Sequence, residues 1–251
     1  MKYVEKPHFP QNARTILVGK KYYTKLVKAF ECLGIQLISV PDNPFVDERL
    51  SGHADLSVVH LGGNKIALAP YLKGTDFAKY LLDEGFELMF SERAQSGEYP
   101  LDAALNFCIC GEKVIYNPQS ADDMIVQYLT SCRGYKPVVV KQGYTKCSVC
   151  TVDERGIVSS DSLIHKSALE EGLDSLKILP GFVSLPGFEY GFLGGAAFKI
   201  SENKLAFTGV LDEHPNKNDI LKFLCLHNVE PVYITRDPVF DIGSAIPIIE
   251  K

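Results

Sequence analysis

The chain has 251 residues, of which 46% are hydrophobic and 23% are charged, as in an ordinary globular protein with a substantial core. Its formal net charge is −5 and its Lys and Arg residues form no cluster, which argues against nucleic acid as a partner. No apolar run approaches the ~20 residues that cross a bilayer, and residues 1–10 lack the apolar core of a signal peptide, so we expect a cytoplasmic protein without membrane contact. The seven cysteines, an odd number, fit free thiols in a reducing compartment.

Along the chain, the predicted elements repeat as two strands, a helix and a further strand. The first unit has a strand at 13–19, a helix at 22–33 and a strand at 35–40, and it lacks the strand in front that the later units have. The four later units begin with strand pairs at 56–60 and 65–69, 103–109 and 114–116, 147–152 and 157–159, and 191–200 and 205–208. They continue with a helix at 75–84 and a strand at 86–90, a helix capped by Ser120 and a strand at 135–140, a helix at 162–171 and a strand at 176–179, and a helix at 218–227 and a strand at 230–234.

The second strand of each pair recurs about every 43–48 residues, a period typical of propellers and solenoids. Tight turns such as Gly62-Gly63-Asn64 join the paired strands, which favours hairpins over the long crossovers of the alternative, a doubly wound sheet. A surplus apolar run at 242–249 would pair beside Ile16–Val18 and close a ring without open sheet edges. No linker interrupts the series. We therefore predict one domain, 1–251, with an α/β fold of five pseudo-symmetric blades.

In such a ring, the starts of the innermost strands meet at one axis. The polar residues and glycines at these starts are His53, Asp55, Asp102, Asn106, Lys146, Cys147, Gly194, Gly195, Asp241 and Ser244. If the starts are strands, His53 and Asp55 point the same way, as do Asp102 and Asn106. Carboxylates, a histidine, a lysine and a thiol in one concavity would perturb each other's proton affinities, as functional sites often do. Each residue also has a structural interpretation, and the apolar neighbours of Cys147 favour a core thiol over a functional one.

Cys147-x-x-Cys150 is the one cysteine pair with a motif spacing. No second Cys/His pair with matching spacing accompanies it, and residues three apart on a strand face opposite sides, so the pair predicts neither a metal site nor a chelate. A different metal centre, built from His53, Asp55, Asp102 and Asp241, stays open as a minor alternative. Our expectation is no metal and no cofactor, since no nucleotide-binding glycine loop is present either.

The ring of five strand-strand-helix-strand units resembles the pentein fold of the guanidino-group-modifying enzymes. The segments Lys141–Cys147, Gly191–Gly195 and Asp241–Ser244 are similar to those of one branch of this fold. Tyr233–Pro238 resembles the Phe-Thr-Arg-Asp-Pro segment of arginine deiminases, which implies a substrate contact for Asp237. The closing strand from Asp241 to Pro247 lacks the cysteine that the family's hydrolases carry there, and Ser244 stands near its place.

The resemblance implies a hydrolase acting on guanidino, ureido or amide C–N bonds of a small arginine-like molecule. Cys147 would be the nucleophile and His53 the general acid and base, with Asp241 beside them. Contacts to a polar or cationic substrate would come from Asp55, Asp102, Asn106, Lys146, Gly194, Gly195, Asp237 and Ser244. The alternative is a non-catalytic protein that binds a small ligand or a macromolecule on the same scaffold, because a fold does not fix a function. The sequence leaves the oligomeric state open.

Overall fold

The computed structural model describes residues 2–93 and 95–251. Its strands are β1 (Lys2–Tyr3), β2 (Ala13–Gly19), β3 (Gln36–Val40), β4 (Val58–Gly62), β5 (Lys65–Leu68), β6 (Glu87–Phe90), β7 (Cys108–Cys110), β8 (Lys113–Tyr116), β9 (Lys136–Val139), β10 (Val149–Thr151), β11 (Gly156–Ser159), β12 (Asp174–Lys177), β13 (Ala197–Ser201), β14 (Lys204–Phe207), β15 (Glu230–Tyr233) and β16 (Ile246–Glu250). Its α-helices are α1 (Lys20–Cys32), α2 (Asp76–Asp83), α3 (Asp123–Gln127), α4 (Thr145–Ser148), α5 (Ser162–Glu170) and α6 (Lys217–Leu226).

These strands form five small sheets, and we call each sheet with its crossover helix a blade. The second to fifth blades have the strand orders β4-β5-β6, β7-β8-β9, β10-β11-β12 and β13-β14-β15. In each of them the first two strands are antiparallel and the third is parallel to the second. A parallel neighbour requires a crossover, which a helix supplies in every blade. The prediction of five strand-strand-helix-strand units is confirmed.

The first blade is completed by the C-terminal strand. Its order is β1-β16-β2-β3, with β16 antiparallel to β2 and Pro247 opposite Ile16. β16 thus takes the position that β4 holds in the second blade, as the surplus apolar run predicted. The two-residue strand β1 covers the other edge of β16.

Apolar side chains from neighbouring blades share five core clusters, one at each junction of the ring. In one junction Cys108 and Val138 of the third blade pack with Ile157 of the fourth. In another, Phe30 of the first blade lies in the same cluster as Phe198 of the fifth, and their rings stack with centroids 5.8 Å apart. Because every blade buries both faces against its neighbours, the ring is held together by burial of apolar surface. No helix in the described ranges is long and apolar enough to cross a membrane.

The innermost strands start later than predicted. The strands expected from residues 103, 147, 191 and 242 begin at Cys108, Val149, Ala197 and Ile246. The residues before these starts bond to other blades instead of to a sheet partner: the Thr145 hydroxyl, for example, donates to the Ile115 carbonyl at 3.0 Å. The expected Ser120 cap is also wrong, because the Asp122 carboxylate accepts the Ile125 amide at 3.1 Å and so begins α3.

Candidate active site

Short helical turns place the predicted polar side chains around the ring axis. Asp55 lies in the 3-10 turn Ala54–Leu56 before β4, with His53 just ahead of it, and Asp102 lies in the 3-10 turn Leu101–Ala103. Cys147 lies in α4, directly before β10. The expectation that pairs of these residues share a strand face is therefore wrong. A helical turn advances only about 1.5–2 Å per residue, against about 3.3 Å in a strand, so it concentrates several side chains at one depth.

The centre of the site is a thiol paired with a carboxylate. The Cys147 thiol donates to Asp55 Oδ2, with the sulfur and oxygen 2.9 Å apart. Both residues are buried, and their side chains come from the second and fourth blades. Asp55 Oδ1 is buried and has no hydrogen-bond partner within residues 2–93 and 95–251. One oxygen of this carboxylate therefore holds the thiol, while the other lacks a partner.

Asn106 orients the turn that carries the thiol. Its Oδ1 accepts the backbone amides of Lys146 at 2.7 Å and Cys147 at 3.2 Å. Its Nδ2 donates to the Asp55 carbonyl at 3.3 Å and lies 3.5 Å from the Cys147 sulfur. This buried amide thus joins both halves of the thiol–carboxylate pair, so it positions the pair and leaves little of itself free for a ligand.

His53 and Asp241 form a second buried pair beside the thiol. His53 Nδ1 lies 3.9 Å from Asp241 Oδ1, and His53 Nε2 has no partner in the described part of the chain. The Asp241 carboxylate also accepts the Phe192 amide at 2.8 Å and the Gly243 amide at 2.9 Å. The Tyr22 ring tilts toward the imidazole, with centroids 6.1 Å apart. A nitrogen of His53 that lacks a partner is free to exchange a proton with a bound molecule.

Lys146, Ser244 and the two glycines lie behind this site. Lys146 Nζ donates to the Ser244 hydroxyl at 2.9 Å and to the Gly194 carbonyl at 3.2 Å. The Ser244 amide donates to the Gly195 carbonyl at 2.7 Å. A side chain at Gly195 would overlap the Asp241 carboxylate, which explains the absence of a Cβ there. These four residues support the backbone around Asp241, and the pocket described below is not lined by them.

Two acidic residues that were expected to contact a substrate, Asp102 and Asp237, do not line the pocket described below. Asp102 is buried and its carboxylate accepts the Tyr144 hydroxyl, so it acts on the site through that tyrosine. Asp237 lies on the surface and pairs with Lys25, with nitrogen and oxygen 2.7 Å apart. The structure does not bring Asp237 to the axis, so the short segment that resembles arginine deiminases marks a surface turn here.

A pocket of about 380 Å³ opens onto His53, Cys147 and Asp241. Its remaining lining is mostly aromatic and apolar, namely Leu50, Tyr99, Gln142, Tyr144, Leu185, Phe188, Glu189, Tyr190 and Phe192. These walls come from loops between repeats and so were not predicted from the sequence, although the aromatic run at 188–192 was a usable signal. A larger hollow of about 550 Å³ lies at the hairpin ends of the fourth and fifth blades. The smaller pocket is the better candidate, because it alone of the two holds the thiol.

Burial and charge set the protonation of this site. Burial, and then the carboxylates of Asp55 and Asp241, raise the pKa of the Cys147 thiol well above its usual value. Burial also raises the pKa of Asp241, which His53 opposes, and that of Asp102, which the Tyr144 hydrogen bond opposes. The thiol is therefore protonated at neutral pH in the free protein. A cation placed among these groups would lower its pKa by offsetting the two negative charges.

His53, Asp55 and Cys147 also carry three potential metal-ligand atoms within 4.8 Å of one another. Two ligands of one tetrahedral zinc, with Zn–S and Zn–O bonds of about 2.3 and 2.1 Å, would hold sulfur and oxygen about 3.6 Å apart. The observed 2.9 Å between Cys147 and Asp55 is instead a hydrogen bond. Within the described ranges, the four-residue set of His53, Asp55, Asp102 and Asp241 is not assembled as a ligand group, since Asp102 is bonded to Tyr144.

Comparisons with known proteins agree on the fold. A model of a family of unknown function (DUF6873) matches residues 17–246, and no curated protein matches the sequence. An amidinotransferase of saxitoxin biosynthesis from Microseira wollei has a TM-score of 0.64 at 10% identity, covering 99% of this chain and 98% of that chain. The inosamine-phosphate amidinotransferase of Streptomyces griseus has a TM-score of 0.62 at 9% identity, covering 100% and 98%. Agmatine deiminase of C. jejuni has a TM-score of 0.54 at 10% identity, covering 100% and 97%. At such identities the likeness shows the fold alone, which is the pentein fold.

Proposed function

We propose that this chain, which belongs to the DUF6873 family of unknown function and has the pentein fold, is a hydrolase acting on a C–N bond of a small guanidinium compound. The observation that carries the proposal is the Cys147 thiol, held 2.9 Å from a carboxylate and beside an imidazole on the floor of a pocket. The amidinotransferases and deiminase that share the fold are named for chemistry at amidino or guanidino carbons. A nucleophile, an acid–base group and anions for a cationic head are the parts that such chemistry needs.

The proposed reaction begins when the guanidinium group enters the pocket beside Asp241 and meets the Cys147–Asp55 pair. The cation takes over the Asp55 carboxylate, and the thiol proton passes to His53. The Cys147 thiolate then attacks the guanidinium carbon and forms a C–S bond. The C–N bond to the leaving amine breaks, its electron pair goes to nitrogen, and His53 protonates that nitrogen. Water next adds to the same carbon and gives one proton to His53. The C–S bond breaks with its electron pair going to sulfur, the new hydroxyl passes its proton to the thiolate, and the ureido product leaves. His53 then loses its proton to solvent, which restores the starting state.

The electrostatics favour a cationic head over a neutral amide or urea. Burial and then two carboxylates raise the pKa of the thiol and keep it protonated, so the free protein is poorly reactive. A guanidinium offsets these charges and so generates the thiolate only in the complex, whereas a neutral group leaves the thiol as it is. Aromatic walls such as Tyr144 and Phe192 suit the flat face of a guanidinium and an aliphatic stem.

One observation favours the alternative of a binding protein without turnover: Cys147 is only 3% exposed and is protonated at rest. Incubating the protein with arginine, methylated arginines and agmatine separates the two. Hydrolysis yields a ureido compound plus ammonia or an amine, and Cys147→Ala removes it. Thermal stabilisation by the same compounds without any product would support the binding protein, and neither product nor stabilisation with any of them would overturn both.

A further inference from the structure

A small cavity of about 10 Å³ lies next to Asp55 and shares no lining residue with the pocket of about 380 Å³. Its polar lining comes from three parts of the chain. They are the N-terminal segment with His8, residues 55–60 with Asp55 and His60, and α4 with Lys146. The rest of the lining is apolar, namely Val58, Val59, Leu105, Phe107 and Ile246.

Buried polar atoms without partners belong to three of these residues. These atoms are buried and form no hydrogen bond to the described part of the chain. They are Asp55 Oδ1, His60 Nδ1 and both ring nitrogens of His8. Lys146 has used two of its three N–H groups, on Gly194 and Ser244. An unpaired buried polar group costs about 1–3 kcal/mol, so several around one cavity point to a molecule inside it.

The N-terminal segment holds His8 near the ring axis in a strained backbone conformation. His8 has φ 69°, in the left-handed region that favours glycine, yet it is only 6% exposed. Backbone bonds from Val4 to Ile248 and from Gly63 to Val4, at 3.1 and 3.0 Å, fix the segment on both sides of the ring closure. Strain of this kind costs about 1–3 kcal/mol and persists only where the surroundings enforce it. The fold therefore places this imidazole at the cavity specifically.

The charges around the cavity identify its occupant. Lys146 disfavours a cation and Asp55 disfavours an anion, so a small neutral molecule fits best. Burial keeps both imidazoles neutral, since it lowers the pKa of His60 to about 4 and that of His8 well below its usual value. His60 Nε2 donates to the Gly63 carbonyl at 2.9 Å, which leaves Nδ1 as an acceptor. Neutral His8 supplies one donor and one acceptor.

We propose that one water molecule occupies this cavity, and that His8 is a positioning residue that fixes the Asp55 carboxylate through this water. The water donates to Asp55 Oδ1 and to His60 Nδ1, and it accepts from His8 and from the third N–H of Lys146. The volume of about 10 Å³ is near the minimum that holds one water. With Oδ1 anchored, the carboxylate cannot rotate, and Oδ2 stays on the Cys147 sulfur. The consequence for catalysis rests on the proposed function, but the water site does not.

The first test is a crystal structure at a resolution that shows ordered water. The expected result is one peak within hydrogen-bonding distance of Asp55 Oδ1 and a ring nitrogen of His8. An empty cavity would overturn the proposal, whatever the protein turns over. The result does not depend on any substrate, so a failure here is distinct from a failure of the proposed hydrolase.

The second test measures alkylation of Cys147 by iodoacetamide in a chain whose exposed Cys32, Cys132 and Cys225 are replaced by serine. His8→Leu removes the polar partner that anchors Oδ1, so the Asp55 carboxylate can turn away from the Cys147 sulfur and its charge suppresses the thiolate less. We expect alkylation at least about threefold faster in His8→Leu. His8→Asn tolerates the left-handed backbone and keeps a donor and an acceptor, so we expect it to return most of the rate to that of the parent.

Recovery of the parent rate in His8→Asn distinguishes a positioning role of His8 from a loss of packing around it. Both variants keep the other titratable groups that face Cys147 and Asp55. These groups are His53, Lys146 and Asp241, with Tyr22 beyond them. Equal rates in the parent and in folded His8→Leu would contradict the proposal, as would equal acceleration by His8→Asn. Melting temperatures show whether both variants fold, and if His8→Leu does not, the crystal structure decides alone.

Discussion

The Cys147 sulfur lies 2.9 Å from Asp55 Oδ2, although the two residues are 92 positions apart in the chain. One is in the helical turn before β10 and the other in the 3-10 turn before β4, in blades that share no sheet. Closure of the ring is what brings them together. The pair places a buried thiol under the electrostatic control of a carboxylate, which adds to burial in raising the pKa of Cys147.

Asp55→Asn tests that control directly. Removing the carboxylate charge eliminates one of the causes that raise the pKa of Cys147, so we expect iodoacetamide to alkylate Cys147 at least about threefold faster at neutral pH. The same change removes an anion from the cation site, so any guanidinium substrate should bind more weakly. Peptide-resolved mass spectrometry measures the alkylation. Asp237→Asn is the matched control, since that carboxylate is exposed and pairs with Lys25, and it should change neither quantity.

Cys147→Ser tests the nucleophile. The serine hydroxyl is far less acidic than a thiol, so we expect turnover of a guanidinium substrate to fall at least about a thousandfold, measured as release of the ureido product. Cys225→Ser changes an exposed thiol and should keep full activity. Turnover retained in Cys147→Ser would assign the chemistry to another group.

Asn106→Ala tests the support of the thiol. The change leaves the amides of Lys146 and Cys147 without their acceptor, so we expect a loss of about 1–3 kcal/mol in the free energy of unfolding. Urea denaturation measures this loss. Asn64→Ala removes an exposed amide that makes one bond of 3.3 Å, and it should cost less than about 0.5 kcal/mol. Similar losses of unfolding free energy in both variants would show that Asn106 stabilises the protein no more than an exposed amide does.

Lys199→Met tests a buried amine outside the active site. Burial lowers the pKa of Lys199 to about 8 from its ordinary 10.5. A folded-state pKa below the unfolded one means that the unfolded chain binds more protons between these values, so this group makes the protein more stable as pH rises from 8 to 10.5. We expect Lys199→Met to melt higher than the wild type at pH 7.5 and to lose that advantage by pH 10.5.

Melting temperatures of the two proteins across this range provide the measurement for Lys199. The comparison between them cancels the destabilisation that other groups contribute at alkaline pH. A difference that stays constant from pH 7.5 to 10.5 would show that the amine titrates normally.

The blades and their order were predictable because their signals are local. Glycine turns such as Gly62-Gly63 mark the hairpins, helix stops mark the crossovers, and the repeat period counts the units. The surplus C-terminal run predicted the closure by β16, and closure brings the inner starts to one axis. Sequence reasoning thus placed His53, Asp55, Cys147 and Asp241 near one another without any contact being visible in the chain.

The contacts inside the site could not be predicted from the sequence, because they depend on how segments from different blades meet. An apolar neighbourhood suggested a strand at Cys147, whereas Asn106 from another blade holds this segment in a helical turn by accepting its amides. The segment around Asp237 resembles a known substrate-binding segment, but it ends at the surface. Local pattern specifies which elements form. Burial, hydrogen-bond satisfaction and charge across the ring decide which side chains meet, because those energies belong to pairs of residues that are far apart in the chain.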